Sequence, residues 1–183
     1  MKIKNFDIEG LKLIQLETFS DSRGYFVESF SARKFISEVD DCNFVQDNES
    51  KSLSRGTIRG LHAQKPPYAQ DKLVRVLQGS IWDVAVDIRK NSNTYGSWAG
   101  VTLTEGDLKQ FYIPKGFLHG FITLRDDTIV SYKCSNYYEN LSEMSLIYND
   151  KDLAIDWNIR DEIKISDKDL LAGEFKDLET PFK

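Results

Sequence analysis

Ile81-Trp82-Asp83-Val84-Ala85-Val86-Asp87-Ile88 decides the fold class. Alternate residues of a strand share a face, so Trp82, Val84, Val86 and Ile88 form one apolar stripe that is expected to be core. The opposite face carries Asp83 and Asp87 beside Ile81 and Ala85. A strand partly apolar on both sides is expected where one sheet packs against a second. Working outward, similar short runs occur at 11–16, 24–30, 44–48, 57–64, 72–78, 97–104, 110–113, 117–124 and 128–134. Turn chemistry punctuates them at Gly79-Ser80, at 91–93, at Glu105-Gly106-Asp107, at Pro114-Lys115-Gly116 and at Asp126-Asp127. Strands this numerous, spaced by about 8 to 12 residues, predict an all-β sandwich, jelly roll or barrel and argue against βαβ units. Helix is expected only over 31–39, with Ser31 as N-cap, and in a short turn from Ser166. The polar tail after Leu171 is expected to be loosely held.

The 183 residues, 40% hydrophobic and 29% charged, fit a single domain over 1–183 and are neither disordered nor fibrous in composition. With 24 basic against 29 acidic side chains the net charge is -5, which offers no general field for a nucleic acid. An anionic ligand would need a local basic pocket. Cys42 and Cys134 lie far apart, so neither a disulfide framework nor a thiolate zinc site is expected, and reduced thiols fit a cytoplasmic protein. Acidic residues interrupt the first 17 positions, and no uncharged apolar run reaches a membrane span of roughly 18 residues, so neither a signal peptide nor membrane insertion is expected.

Histidine, with an unperturbed pKa of roughly 6.5, is the side chain suited to proton transfer near neutral pH. There are two, His62 and His119, each in a strand-like run beside a glycine. A lone strand histidine is ordinarily structural; here the neighbours change the odds. Lys72 alternates with Val74 and Val76, and an interior lysine is costly to desolvate unless it is paired or used. An edge lysine with its stem snorkelling outward is the simpler alternative. Tyr132 shares a face with Val130 and Thr128, which aims its hydroxyl inward, although a core tyrosine explains it equally well. Gln46 and Asn48 are expected on one strand face with Phe44, as amides for a polyhydroxyl ligand or as a satisfied strand edge.

Taken in order, eight blocks resemble one family: Asp21-Ser22-Arg23-Gly24-Tyr25-Phe26-Val27-Glu28; Phe44 to Asn48; Arg59-Gly60-Leu61-His62; Gln70-Asp71-Lys72-Leu73-Val74-Arg75-Val76; Asp83 to Arg89; Ile113-Pro114-Lys115-Gly116-Phe117 with His119-Gly120-Phe121; Tyr132-Lys133; and Ser166-Asp167-Lys168-Asp169. Together, over about residues 5 to 170, they are similar to the dTDP-4-dehydrorhamnose 3,5-epimerases. The resemblance implies a cupin-type jelly-roll barrel with a few short helices, working as a homodimer without metal or other cofactor. Its substrate would be dTDP-4-dehydro-6-deoxy-D-glucose, in which the C4 carbonyl acidifies C3 and C5. It also implies His62 as base, Asp169 orienting it, Tyr132 as acid on the other ring face and Lys72 near the enolate oxygen. His119 and Arg59 would contact substrate, Arg23 and Lys168 the diphosphate, and Glu28, Gln46, Asp47, Asn48 and Glu143 the sugar or nucleotide. Phe19, Phe26 and Tyr137 are the aromatic candidates for thymine.

Regular alternation sets Arg59 and His62 on opposite faces, and a bulge at Gly60 would reconcile them. Asp167 competes with Asp169, and capping of a helix N-terminus would explain either one. Other readings are an iron-dependent cupin using His62, His119 and a carboxylate, a sugar-binding module with no chemistry, and an epimerase acting at C3 or C5 alone.

Overall fold

The computed structural model describes residues 1–158 and 162–183. In chain order the strands are β1 (Lys2–Asn5), β2 (Lys12–Gln15), β3 (Thr18–Asp21), β4 (Gly24–Val27), β5 (Gln46–Ser52), β6 (Ile58–Gln64) and β7 (Lys72–Gln78). They continue with β8 (Ser80–Asp87), β9 (Trp98–Thr104), β10 (Lys109–Ile113), β11 (Phe117–Thr123), β12 (Thr128–Cys134) and β13 (Glu143–Ser145). Helix α1 (Ala32–Glu38) follows β4, and α2 (Asp167–Leu170) lies near the C-terminus. Two antiparallel sheets, ordered β1-β2-β10-β7-β12-β5 and β13-β6-β11-β8-β9, face each other, while β3 and β4 form a separate two-stranded sheet. This is the jelly-roll barrel expected.

Alternation places the strands. Ile81 and Ala85 of β8 join Val74, Val76, Phe111, Phe121 and Val130 in the core between the sheets. Val84, Val86 and Ile88 turn the other way, against Leu146, Leu153 and Trp157 of the C-terminal segment. The stripe that marks this strand is therefore core, but it faces an outer layer; the barrel interior receives the side that carries Asp83 and Asp87. On the opposite sheet α1 lays Phe35 and Val39 over Ile14, Leu73 and Tyr112. Ser31 caps α1 by accepting from Lys34 N–H. Burying side chains such as Phe35 contributes roughly 1.5 to 3 kcal/mol each.

Three expectations need correction. The tail after Leu171 is held: Gly173 bridges to Leu146, the Thr180 hydroxyl donates to the Ile88 carbonyl, and Phe175, Leu178 and Phe182 pack on the outer core. These apolar residues are scattered among charges, which hides their burial. Phe44 does not share a face with Gln46 and Asn48. It lies before β5 and meets Phe35 and Phe30 edge to face, with ring centroids 5.1 and 5.5 Å away. The run 24–30 forms a strand only to Val27, because Phe30 turns down beneath α1.

Candidate active site

Between the sheets opens a cavity of about 480 Å³ lined by His62, Lys72, His119, Tyr132 and Asp169. A second lobe of about 420 Å³ shares His62, Lys72 and Tyr132 and adds Gln46, Asn48 and Glu143. The topology explains the gathering. β6, β11 and β13 supply His62, His119 and Glu143 from one sheet, and β5, β7 and β12 supply Gln46, Asn48, Lys72 and Tyr132 from the other.

His62 pairs with His119 across β6 and β11, whereas Arg59 pairs with Phe121, so β6 spends one residue more than its neighbour. Gly60 takes the extra place at φ +105°, and a Cβ there would stand 2.5 Å from the His119 carbonyl oxygen. This is the bulge that brings Arg59 and His62 to one cavity. Arg59 is steadied by the Ser52 hydroxyl at 3.2 Å and the Lys51 carbonyl at 3.1 Å.

Asp169, not Asp167, meets His62, with Oδ1 2.6 Å from Nε2. Ser166 caps α2 by accepting from Asp169 N–H, which presents the Asp169 carboxylate to β6. Burial opposes its ionisation, but the His62 hydrogen bond and charge, with those from Gly60 N–H and Ser166, hold the carboxyl below its usual range. An ionised Asp169 accepts the Nε2 proton, leaving Nδ1 as the ring nitrogen free for the cavity.

Lys72 has no hydrogen bond or ion pair among the described residues. Burial lowers its pKa, and the neighbouring Cys134, Asp83 and Glu143 partly counter that. Burial raises the Tyr132 pKa, Cys134 adds to the rise and Arg59 opposes it, so the phenol carries its proton at neutral pH. Lys168 ion-pairs with Glu143 at 2.5 Å, and Glu143 also accepts from the Tyr138 hydroxyl at 3.1 Å. Gln46 donates to Asn48 at 3.0 Å, and Asn48 donates to the Cys134 sulfur.

Several expected site residues lie elsewhere. Asp47 turns to the outer side of β5 and ion-pairs with Lys133 at 2.8 Å. Arg23 pairs with Asp21 on the exposed β3–β4 hairpin, which also displays Phe19 and Phe26. Glu28 pairs with Lys34 at 2.8 Å. Tyr137 is exposed and outside the cavity lining, whereas Tyr138, the next in sequence, lines the second lobe together with Tyr132. Two further residues were missed. Asp83 binds the second histidine, with Oδ1 2.6 Å from His119 Nε2, and a charge alternating with Ile81 and Ala85 was its signal. Ser50 lines the cavity with a buried hydroxyl that has no partner among the described residues. Its signal was the polar stripe of Gln46, Asn48, Ser50 and Ser52 along β5.

The arrangement can move protons: a carboxylate-held imidazole and a protonated phenol project from opposite sheets into one cavity, with the half-buried Lys72 beside them. Among the described residues, no three His, Cys, Asp or Glu side chains converge as metal ligands, and no helix is long and apolar enough to cross a membrane.

The family model for dTDP-4-dehydrorhamnose 3,5-epimerase matches residues 5–177. The Methanothermobacter thermautotrophicus enzyme of that name is 46% identical over 164 residues, 88% of each chain. The crystal structure of the Elizabethkingia anophelis enzyme superposes with a TM-score of 0.92 at 46% identity, covering 97% of both chains. A Legionella pneumophila dTDP-6-deoxy-D-glucose-3,5-epimerase, solved in complex with dTDP-4-keto-L-rhamnose, gives 0.93 at 44% identity over 97% of this chain and 94% of that one. With this fold, this cavity and these matches over nearly its whole length, the chain belongs to the dTDP-4-dehydrorhamnose 3,5-epimerase family.

Proposed function

We propose that this chain, as one domain, inverts C3 and C5 of dTDP-4-dehydro-6-deoxy-D-glucose to give dTDP-4-dehydro-L-rhamnose. His62 Nδ1 removes the proton beside the C4 carbonyl, and the electron pair moves onto the C4 oxygen as an enolate. Lys72 donates to that oxygen. The Tyr132 hydroxyl then returns a proton to the opposite ring face; solvent takes the proton from His62 and reprotonates Tyr132, and repetition at the second carbon completes the double inversion. Positioned acid and base groups contribute about a hundred- to ten-thousand-fold each. The steps use only side chains, with no metal or organic cofactor.

One observation carries most of this: His62, held by Asp169 at 2.6 Å, and Tyr132 line the same cavity from opposite sheets. Base and acid on opposite sides are what inversion demands. Arg59 and Lys168 supply the local positive charge an anionic nucleotide needs in a chain of net charge -5. His119 contacts the sugar, and Gln46, Asn48 and Glu143 bind from the second lobe.

We further infer a cytoplasmic homodimer. Phe19 and Phe26 stand 66% and 68% exposed on a hairpin that forms its own two-stranded sheet, and Arg23 and Glu28 lie with them outside this subunit's cavity. A partner subunit covering the hairpin would bury those rings and bring the charges to its own cavity. Incubation of the pure protein with the substrate after chelation, followed by NMR, tests the activity. Appearance of the doubly inverted sugar supports it, inversion at one carbon assigns a single-site epimerase, and unchanged substrate overturns it.

A further inference from the structure

His62 is not the only histidine of the cavity gripped by a buried carboxylate. Asp83, fully buried on β8, holds His119 of β11 at 2.6 Å, Oδ1 to Nε2, and His119 is itself only 8% exposed. Asp83 Oδ2 is also buried and has no hydrogen-bond partner among the described residues. The surroundings are apolar, since Asp83 shares its strand face with Ile81 and Ala85 and lies across from Phe121. A carboxylate in such a place is costly without a compensating positive charge. Two groups can supply it: the His119 ring when protonated, and the Lys72 ammonium, on which Asp83 acts electrostatically.

We propose that Asp83 is a positioning residue for the proton transfers, holding the His119 ring with Nδ1 turned to the substrate and supplying the negative charge that keeps the Lys72 ammonium at the enolate oxygen. The inference rests on the epimerase reading above. With Nε2 taken by Asp83, His119 reaches the cavity through Nδ1, as His62 does through its own Nδ1. The paired register of His62 with His119 sets the two rings side by side on neighbouring strands. Lys72 is faced by Asp83 from β8, Cys134 from β12 and Glu143 from β13. Arg59, His62 and His119 line the same cavity with it. Removing Asp83 therefore lets burial act on the ammonium with less opposition, and its pKa falls further.

Asp83→Asn keeps the shape and removes the charge. In a wild-type chain that epimerises, kcat of the variant should fall about 10- to 100-fold with KM within threefold, because a carboxylate is needed to fix the ring tautomer. The alkaline limb of its kcat profile should move about one unit to lower pH. Activity within twofold of wild type and an unmoved alkaline limb would overturn the proposal, as would a lower Tm accompanied by an unmoved limb. Lys72→Met provides a background in which the alkaline shift should vanish; a shift that persists there also overturns it. Independently of turnover, 15N NMR should find the His119 proton on Nε2 in wild type and lose that preference in Asp83→Asn. A wild-type chain without epimerase activity refutes the epimerase reading, whereas an unchanged His119 tautomer refutes the role given to Asp83.

Discussion

Asp83 and Asp87 lie four residues apart on one face of β8, both at 0% exposure, yet their surroundings are opposite. Asp87 is saturated: Arg89 Nε and Nη2 donate at 2.8 and 2.7 Å, and the Ser92 and Thr94 hydroxyls at 2.6 and 2.7 Å. Asp83 has one histidine and an oxygen with no partner among the described residues. The difference separates structural charge from working charge. A carboxylate whose lone pairs are all used inside the chain holds loops together, and one left partly open beside a cavity keeps its field available to the site.

The largest effect belongs to the site end of this comparison. His62→Ala should lower kcat by about 10³- to 10⁴-fold and, by leaving the buried Asp169 carboxylate without its histidine, lower stability by about 1 to 3 kcal/mol, seen by steady-state assay beside urea unfolding. Next comes the structural end. Asp87→Ala strands the Arg89 guanidinium and should lower unfolding free energy by about 3 kcal/mol or more, with kcat of the folded protein within twofold of wild type. If Asp87→Ala instead removed activity from a stable protein, the division between the two aspartates would fail.

Lys72→Met sharpens the comparison by taking away an ammonium on which the open carboxylate acts electrostatically. We expect kcat to fall about 10²-fold while Tm rises, since a lowered lysine pKa means that the fold opposes its charge. A lower Tm would show Lys72 to be a structural partner. The smallest effect is in acid. Despite burial, hydrogen bonds from Arg89, Ser92 and Thr94 hold the Asp87 carboxyl below its usual range. A depressed carboxylate adds stability above its unfolded-state pKa and loses it as pH falls through the folded-state value. In that acid window the wild-type stability slope should therefore exceed that of Asp87→Ala by up to about 1.4 kcal/mol per pH unit, measured by urea unfolding at stepped pH.

The fold was legible wherever side-chain alternation met turn chemistry. β7 and β12 run over the expected residues, and β8 and β11 differ from expectation only at their ends. β1, β3 and β13 escaped because short strands such as Lys2–Asn5 carry charge where a pattern would need apolar residues. Gly60 was a more informative signal, since an alternation conflict between Arg59 and His62 pointed to the bulge that the β6–β11 register contains. The site was less legible. Asp83 and Asp87 look identical in a strand pattern, and only the donors supplied by Arg89, Ser92, Thr94 and His119 tell them apart. Arg23 and Glu28 match the family blocks, yet they sit on a hairpin outside the cavity, a separation that one chain's sequence does not reveal.

Hydrogen exchange from solvent tests the central claim most directly. Substrate incubated in deuterated water with wild type, His62→Ala and Tyr132→Phe should be followed by NMR at C3 and C5. If His62 is the base and Tyr132 the opposite-face acid, wild type places deuterium at both carbons with inversion, His62→Ala at neither, and Tyr132→Phe exchanges without efficient inversion. Undiminished exchange in His62→Ala would contradict the account.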